Sequence, residues 1–351
     1  MVSDKPYVNL EALDQREYAS SDPRGFLGQF SEGAVLAEIQ NVPSLFPYLQ
    51  TVVDEGARAG SFVLTGSQQF GLRDDMAQSL AGRVGLVELL PFSLGEVPAG
   101  EASLNAVLCR GNYPRIVADG VPPRVWLADY ISTYLERDVR RLLNVRDLSS
   151  FQRFLRMCAG RSGQLLNLSA LAADCGITHN TAREWLSVLE ASYIVHLLQP
   201  YHRNFGKRLV KTPKLYFLDT GLAAWLMSVN MPEDLVVSMF RGPLFETLVV
   251  TEILKARLNR RREGGLYFWR DSNGHEIDLL VEAGGKLFPL ECKAGETIAA
   301  DWFPPLERFR QSAALGQSWV VYGGDAGQTR GQCTVVGWRS LPQFADELTM
   351  A

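Results

Sequence analysis

The sequence predicts an α/β protein in three parts: a partial parallel sheet over residues 1–98, a helical part over 99–205, and a second α/β part over 206–351. Three observations carry this reading. Short apolar runs at Tyr7–Leu10, Ala34–Ile39, Ser61–Thr65 and Leu86–Leu90 are separated by helix-length stretches, the alternation that builds parallel sheets. After Pro98 the apolar spacing becomes helical. Near the C-terminus, three short strands are joined by the turn sequences SNG and GG, as in an antiparallel meander. A chain of 351 residues is also too long for one typical core and suits two or three domains.

Composition narrows the class. Apolar residues make up 46% and charged residues 21%, the balance of an ordinary globular protein. No apolar run approaches the ~18 residues that span a bilayer. The opening MVSDKPYVNLEALDQ lacks the basic and apolar regions of a signal peptide. The five cysteines are scattered and form no CxxC pair, which argues against a disulfide framework or a zinc ribbon. The expectation is a cytoplasmic protein without a membrane partner. Net charge is −4, unevenly spread: residues 1–100 hold 6 Lys+Arg against 13 Asp+Glu, and the remainder 29 against 26. Such asymmetry suits a nucleic-acid-facing rear half, and equally a solvated surface.

In the first part, Pro23 opens a helix (DPRGFLGQF), AVLAEIQ reads as a buried strand, NVPSLFPYLQTVVDEG as a helix and SFVLTGS as a second buried strand. Parallel strands present ligands at their C-terminal ends, so Glu38, Gln40, Thr65 and Ser67 are expected on one rim. In order, AVLAEIQ, FVLTGSQQF, QSLAGRV and LLPFSLGEV resemble the Walker B, sensor and arginine regions of a bacterial and archaeal branch of the AAA-type ATPases. Members of that branch carry a C-terminal domain of unknown function with a nuclease-like core. The resemblance implies a P-loop NTPase-like sheet, ATP as the family's ligand and assembly into oligomers. It makes Glu38 the acid that polarises the attacking water, and gives Thr65, Ser67 and Arg83 to the nucleotide site. Ala37 stands where the family has a metal-binding aspartate. No G-x-x-x-x-G-K-[ST] loop occurs: Gly206-Lys207 is followed by Arg208 and Gly285-Lys286 by Leu287. The chain is therefore expected to begin just after that loop, and tight ATP binding is not expected of it. The plainer alternatives are helix capping for Thr65 and Ser67, and a helix-end cation for Arg83.

In the middle part, VWLADYISTYLERDVRRLL is helical, with Arg137, Arg140 and Arg141 among its apolar positions. Ser169 can cap a short helix, Gly176 supplies a turn and Thr178 can cap a longer helix, together a helix-turn-helix. With IVHLLQPY as the first strand of a wing, the segment reads as a winged helix. The second helix would present Asn180 and Arg183 to base edges. The strip Arg203, Lys207, Arg208, Lys211 and Lys214 would meet phosphates. Winged helices on ATPase cores also serve as lids or protein-docking modules.

In the last part, KLYFLDTGLAAWLM gives a strand and a helix, GPLFETLVVTEILKARL a long helix, and the meander follows. Strand alternation puts Glu276, Asp278 and Leu280 on one face of HEIDLLVE, and Glu291 with Lys293 on one face of PLECKA. Asp278, twelve residues, then Glu291-x-Lys293 is the pattern of the PD-(D/E)xK nuclease superfamily, in which a helix glutamate, here Glu246, often joins. Asp278 and Glu291 would hold Mg2+ or Mn2+ through hard oxygens, and Lys293 would orient water or stabilise charge on phosphorus. His275 and Cys292 are bystanders in this reading. The sequence thus describes an AAA-type ATPase homologue, N-terminally truncated or degenerate, with a nuclease-like C-terminal domain acting on or near DNA. The other class left open is a non-enzymatic winged-helix regulator that binds DNA or a protein.

Overall fold

The computed structural model describes residues 4–56, 58–66, 79–98, 100, 102–135, 148–201, 211–310 and 317–350. They fall into two compact units, Met1–Leu86 and Val87–Ala351.

The first unit is a three-stranded parallel sheet with helical crossovers: β1 (Tyr7–Asn9), α1 (Leu13–Ser21), α2 (Pro23–Gly28), β2 (Val35–Ala37), α3 (Leu45–Asp54) and β3 (Val63–Leu64), in the order β1-β2-β3. α2 starts where the sequence says it should. Pro23 occupies its first turn, and the Asp22 carboxylate accepts from the Gly25 N–H at 2.9 Å. Phe26, Leu36, Leu45, Phe46 and Leu49 close the core. The strand expected at Leu86–Leu90 does not form: these residues have no strand partner among the described residues, and Leu86, Val87 and Leu89 are exposed. A β-rich composition without a neighbour to pair with makes no strand.

The second unit begins with α4 (Leu104–Arg110), α5 (Pro114–Val117), α6 (Pro123–Asp129) and α7 (Leu148–Ala159). After them come β4 (Gln164–Leu165), α8 (Leu168–Cys175), α9 (His179–Ala191) and β5 (Val195–Leu198). Asn167, not Ser169, caps α8, accepting from the Ala170 N–H at 3.0 Å. Gly176 ends α8 in the left-handed region (φ 68°), and Thr178 caps α9 through the Thr181 N–H. The buried stripe Ala182, Trp185, Leu186 and Leu189 seats α9 at helical spacing.

β6 (Lys214–Phe217) corrects the expected organisation. The sequence places it in the C-terminal part, yet it pairs antiparallel with β5 and β4 in a sheet of order β4-β6-β5. The expected division at 205/206 therefore falls inside a sheet. One hydrophobic core runs from Leu104 through Trp185 and Phe245 to Leu348, so the middle and C-terminal parts are a single packed body.

α10 (Thr220–Leu226) and the long α11 (Arg241–Asn259) lead into β7 (Leu266–Arg270), β8 (Glu276–Ala283) and β9 (Lys286–Lys293), the meander read from SNG and GG. α12 (Pro304–Arg310), β10 (Ser318–Tyr322), β11 (Gln328–Arg330), β12 (Cys333–Gly337) and α13 (Leu341–Met350) complete the chain. The sheet order is β11-β12-β10-β9-β8-β7, with β9, β10 and β12 parallel. α11 and α13 cover one face through Leu248, Leu279, Leu290 and Phe344; α12 covers the other through Leu306, Phe309, Ile277 and Val320. β8 is irregular at its centre: Tyr267 faces Leu280 but Trp269 faces Ile277, so Asp278 and Leu279 bulge opposite Phe268. Leu280 and Ile277 consequently share the α12 face. The strict alternation expected for Glu276, Asp278 and Leu280 is broken at that point.

Candidate active site

In the second unit, Glu246 projects from α11 toward β6. Its Oε1 accepts from Lys214 Nζ at 2.9 Å and from the Tyr216 hydroxyl at 2.6 Å. Lys214, only 2% exposed, also pairs with Glu276 at 2.5 Å, and Glu276 reaches Arg270 at 2.9 Å. Lys214 and Tyr216 are two apart on β6, so strand alternation delivers both to the same side. Lys214 therefore cannot belong to the phosphate strip expected over 203–214: its ammonium is buried among carboxylates.

Glu291 and Lys293 pair with each other at 2.7 Å. Glu291 lies in register with Val320 and Lys293 with Tyr322, both part of the core under α12. Cys292 lies in register with Val321 and packs against the larger core under α11. Alternation thus turns Glu291 and Lys293 to the α12 face, and no hydrogen bond or ion pair joins them to Glu246. Asp278 stands at the bulge, where its Oδ2 accepts from the Cys292 N–H at 2.8 Å. Glu291 Oε1 is buried and has no hydrogen-bond partner.

Burial, then the Asp278 charge, push the Glu246 carboxyl up to about 7 and that of Glu291 up to about 8. Burial alone would pull the Lys214 and Lys293 ammoniums down. Glu246, Asp278 and Glu276 reverse this for Lys214, and Glu291 and Asp278 for Lys293, so both end above the ordinary lysine value. Burial drives the Cys292 thiol well up, which makes it a packing group rather than a nucleophile.

The donor types suit a hard cation. Asp278 and Glu291 supply carboxylate oxygens from neighbouring strands, and Glu291 Oε1 has a lone pair without a donor. Among the described residues no three His, Cys, Asp or Glu side chains are disposed to hold a metal ion. The fit is thus to a two-carboxylate site of the kind Mg2+ uses when water and substrate phosphate complete its shell.

In the N-terminal unit, Glu38 ends β2 in the left-handed region (φ 56°) and its Oε2 accepts from Gln40 Nε2 at 2.6 Å. The Ile39 N–H donates to the Thr65 carbonyl at 3.1 Å, bringing the ends of β2 and β3 together. Arg83 makes a two-point pair with Asp54, Nε–Oδ1 at 2.6 Å and Nη2–Oδ2 at 3.0 Å, and this contact holds the Asp54 carboxyl below its usual range. Ser67 lies outside the described residues. On α9, Asn180 and Arg183 are exposed, beside Glu184 and Glu190. Lys207 and Arg208, with Arg203, Arg137, Arg140 and Arg141, lie outside the described residues.

Lys214, Tyr216 and Glu276 were missed as members of a charged cluster. A lysine opening the apolar strand KLYF was the available signal, since a cation there must find carboxylates.

Comparison with known proteins supplies the family. The uncharacterized protein Mb2031c of Mycobacterium bovis is 32% identical over 311 residues, covering 87% of this chain and 68% of that protein. The uncharacterized protein Rv2008c of Mycobacterium tuberculosis matches to the same extent. The chain belongs to their family. Residues 2–98 match the AAA domain, 101–233 a domain of unknown function (DUF8612) and 241–341 another (DUF4143). The family thus has an AAA-like N-terminal domain followed by two domains of unknown function. The AAA-domain match runs past Leu86, so its last residues pack with the second compact unit. A crystal structure of protein VC1899 from Vibrio cholerae aligns over 96% of this chain and 80% of its own, at 11% identity and a TM-score of 0.25. Among the described residues no helix is long and apolar enough to cross a membrane.

Proposed function

We propose that this AAA-family chain carries a metal-dependent nuclease-like site in its C-terminal unit and acts on DNA. One observation carries the reading: the buried Glu291 Oε1 has no hydrogen-bond partner, its carboxyl feels the Asp278 charge from the neighbouring strand, and Lys293 is bound to the same glutamate. Asp278 and Glu291 would hold Mg2+ or Mn2+, which when bound polarises a phosphodiester and acidifies water. Lys293 keeps its proton through neutral pH and offers positive charge where negative charge gathers on phosphorus. Hydrolysis forms a bond from water oxygen to phosphorus and breaks the bond to the leaving sugar oxygen, which takes up a proton. In this reading ATP, the family's expected ligand, belongs to the AAA-like domain, with Glu38, Thr65, Ser67 and Arg83 as its site.

The test is nicking of supercoiled plasmid in Mg2+ or Mn2+. Cleavage lost in EDTA and in Asp278→Asn and Lys293→Ala, with circular dichroism unchanged, is the expected outcome. Absence of cleavage in either metal, or cleavage that survives both substitutions, overturns it.

A second reading is favoured by the exposed face of α9. It presents Asn180 and Arg183 but also Glu184 and Glu190, a charge balance that suits a protein surface better than a phosphate backbone. In that case the winged helix docks a protein partner. An Arg183→Glu variant would then leave duplex DNA binding unchanged and its salt dependence flat.

A further inference from the structure

A cavity of about 410 Å³ opens between α12, the start of β10 and the β11–β12 turn. Its volume falls in the range of small-molecule sites. Two groups in its wall, Ser318 and Arg310, lack the partners their chemistry calls for. Ser318 is 1% exposed and its Oγ has no hydrogen-bond partner. Arg310 makes no hydrogen bond or ion pair with a described residue. Arg330 lies over the Phe303 ring, 5.3 Å from its centroid. A buried hydroxyl without a partner costs free energy that a ligand oxygen would recover. Two guanidinium forks match the oxygens of a phosphate. A guanidinium backed by one aromatic ring offers its other face to a second planar group. Glu307 also lines the cavity, leaving one net positive charge there and an acceptor for a ligand N–H.

We propose that this cavity binds a nucleoside 5′-monophosphate unit, with the phosphate between Arg310, Arg330 and the Ser318 hydroxyl and the base against the Arg330–Phe303 pair. The unit is either a free nucleotide or the phosphorylated end of a strand. Ser318 and Val320 share a face of β10, so the cavity lies on the face to which Glu291 turns. The binding step nevertheless requires neither cleavage nor a metal.

The test is calorimetric titration of the full chain in EDTA with adenosine 5′-monophosphate, inorganic phosphate, and a single-stranded ten-nucleotide DNA with and without a 5′-phosphate. Saturable binding of the monophosphate is expected, weakened about ten-fold or more in Arg310→Gln and in Arg330→Gln, and roughly five-fold in Ser318→Ala. Arg310→Lys, which keeps the charge and loses the fork, should fall in between. Discrimination by the oligonucleotide for its 5′-phosphate, sensitive to the same substitutions, assigns the ligand to strand ends; its absence assigns it to the free nucleotide. The proposal is overturned by no saturable binding of the monophosphate or of the 5′-phosphorylated oligonucleotide. Binding unchanged in both arginine variants overturns it as well, because it would place the nucleotide elsewhere. Inorganic phosphate binding as tightly as the monophosphate overturns the base contact. EDTA separates this result from the nicking assay, so each reading fails on its own.

Discussion

The two compact units of this protein treat acidic residues in opposite ways. In the N-terminal unit, Glu38 ends its strand beside an amide, and Asp54 meets Arg83 in a half-exposed pair. Among the described residues of that unit no carboxylate is buried. In the C-terminal unit, Glu246, Glu291 and Glu276 are drawn into or against the core and answered by Lys214, Lys293 and Arg270. Desolvation makes that second arrangement costly unless every charge is matched. Residual mismatch remains at Glu291, in the form of a raised carboxyl and an unpartnered oxygen.

The comparison can be broken most sharply at Lys214. Lys214→Met leaves Glu246 and Glu276 facing each other without their shared cation, and should destabilise the C-terminal unit by about 3–5 kcal/mol in chemical denaturation. A loss under 1 kcal/mol would mean that these carboxylates are better solvated than their burial implies.

A pH series sharpens it further. Glu246 and Glu291 have folded-state values of about 7 and about 8, above the ordinary 4.5. The folded state therefore holds protons that the unfolded chain has released, and the associated stability is present below pH 4.5 and lost as pH rises toward 8. Urea midpoints of the C-terminal unit should fall across that window, and Glu246→Gln with Glu291→Gln should flatten the fall. Millimolar Mg2+ should flatten it too if Asp278 and Glu291 bind it; an unchanged slope would count against the metal site.

Smaller effects belong to the N-terminal unit. Asp22→Ala removes the cap of α2 and should cost about 1 kcal/mol there, read from the same denaturation series. Arg83→Ala, in an exposed pair, should leave the midpoint within experimental scatter. A clear loss would show that Arg83 supports more than Asp54.

What was legible in the sequence follows the same divide. Periodicity and turn residues located β1, β2, β3, α2, α9, α11 and the β7–β8–β9 meander, because each is dictated by neighbours in the chain. The Leu86–Leu90 strand failed because a strand requires a partner that local composition does not supply. The membership of β6 was misread for a related reason: KLYF fits any sheet, and only long-range packing joins it to β5. Of the candidate site, Asp278, Glu291 and Lys293 are proposed from spacing. The bulge at Asp278 and the turn of Glu291 and Lys293 to the α12 face are not legible there, since both depend on register. Lys214 was visible only as one more basic residue in a basic stretch.

The Glu252–Lys255 pair on α11 has a practical consequence. Glu252 accepts the Leu94 N–H at 2.7 Å, and Lys255 donates to the Phe92 carbonyl at 3.0 Å, both within the core of the second unit. Those backbone groups lie inside the stretch that matches the AAA domain. Severing the chain after residue 98 would strip two buried charges of their main-chain partners. Severing it between Leu86 and Glu88, where the apolar side chains face solvent, would cost the larger unit nothing of that kind. Limited proteolysis should therefore yield a stable fragment that retains Phe92–Leu94, and a soluble fragment for crystallisation is better begun at Val87 than at a domain edge drawn from sequence similarity.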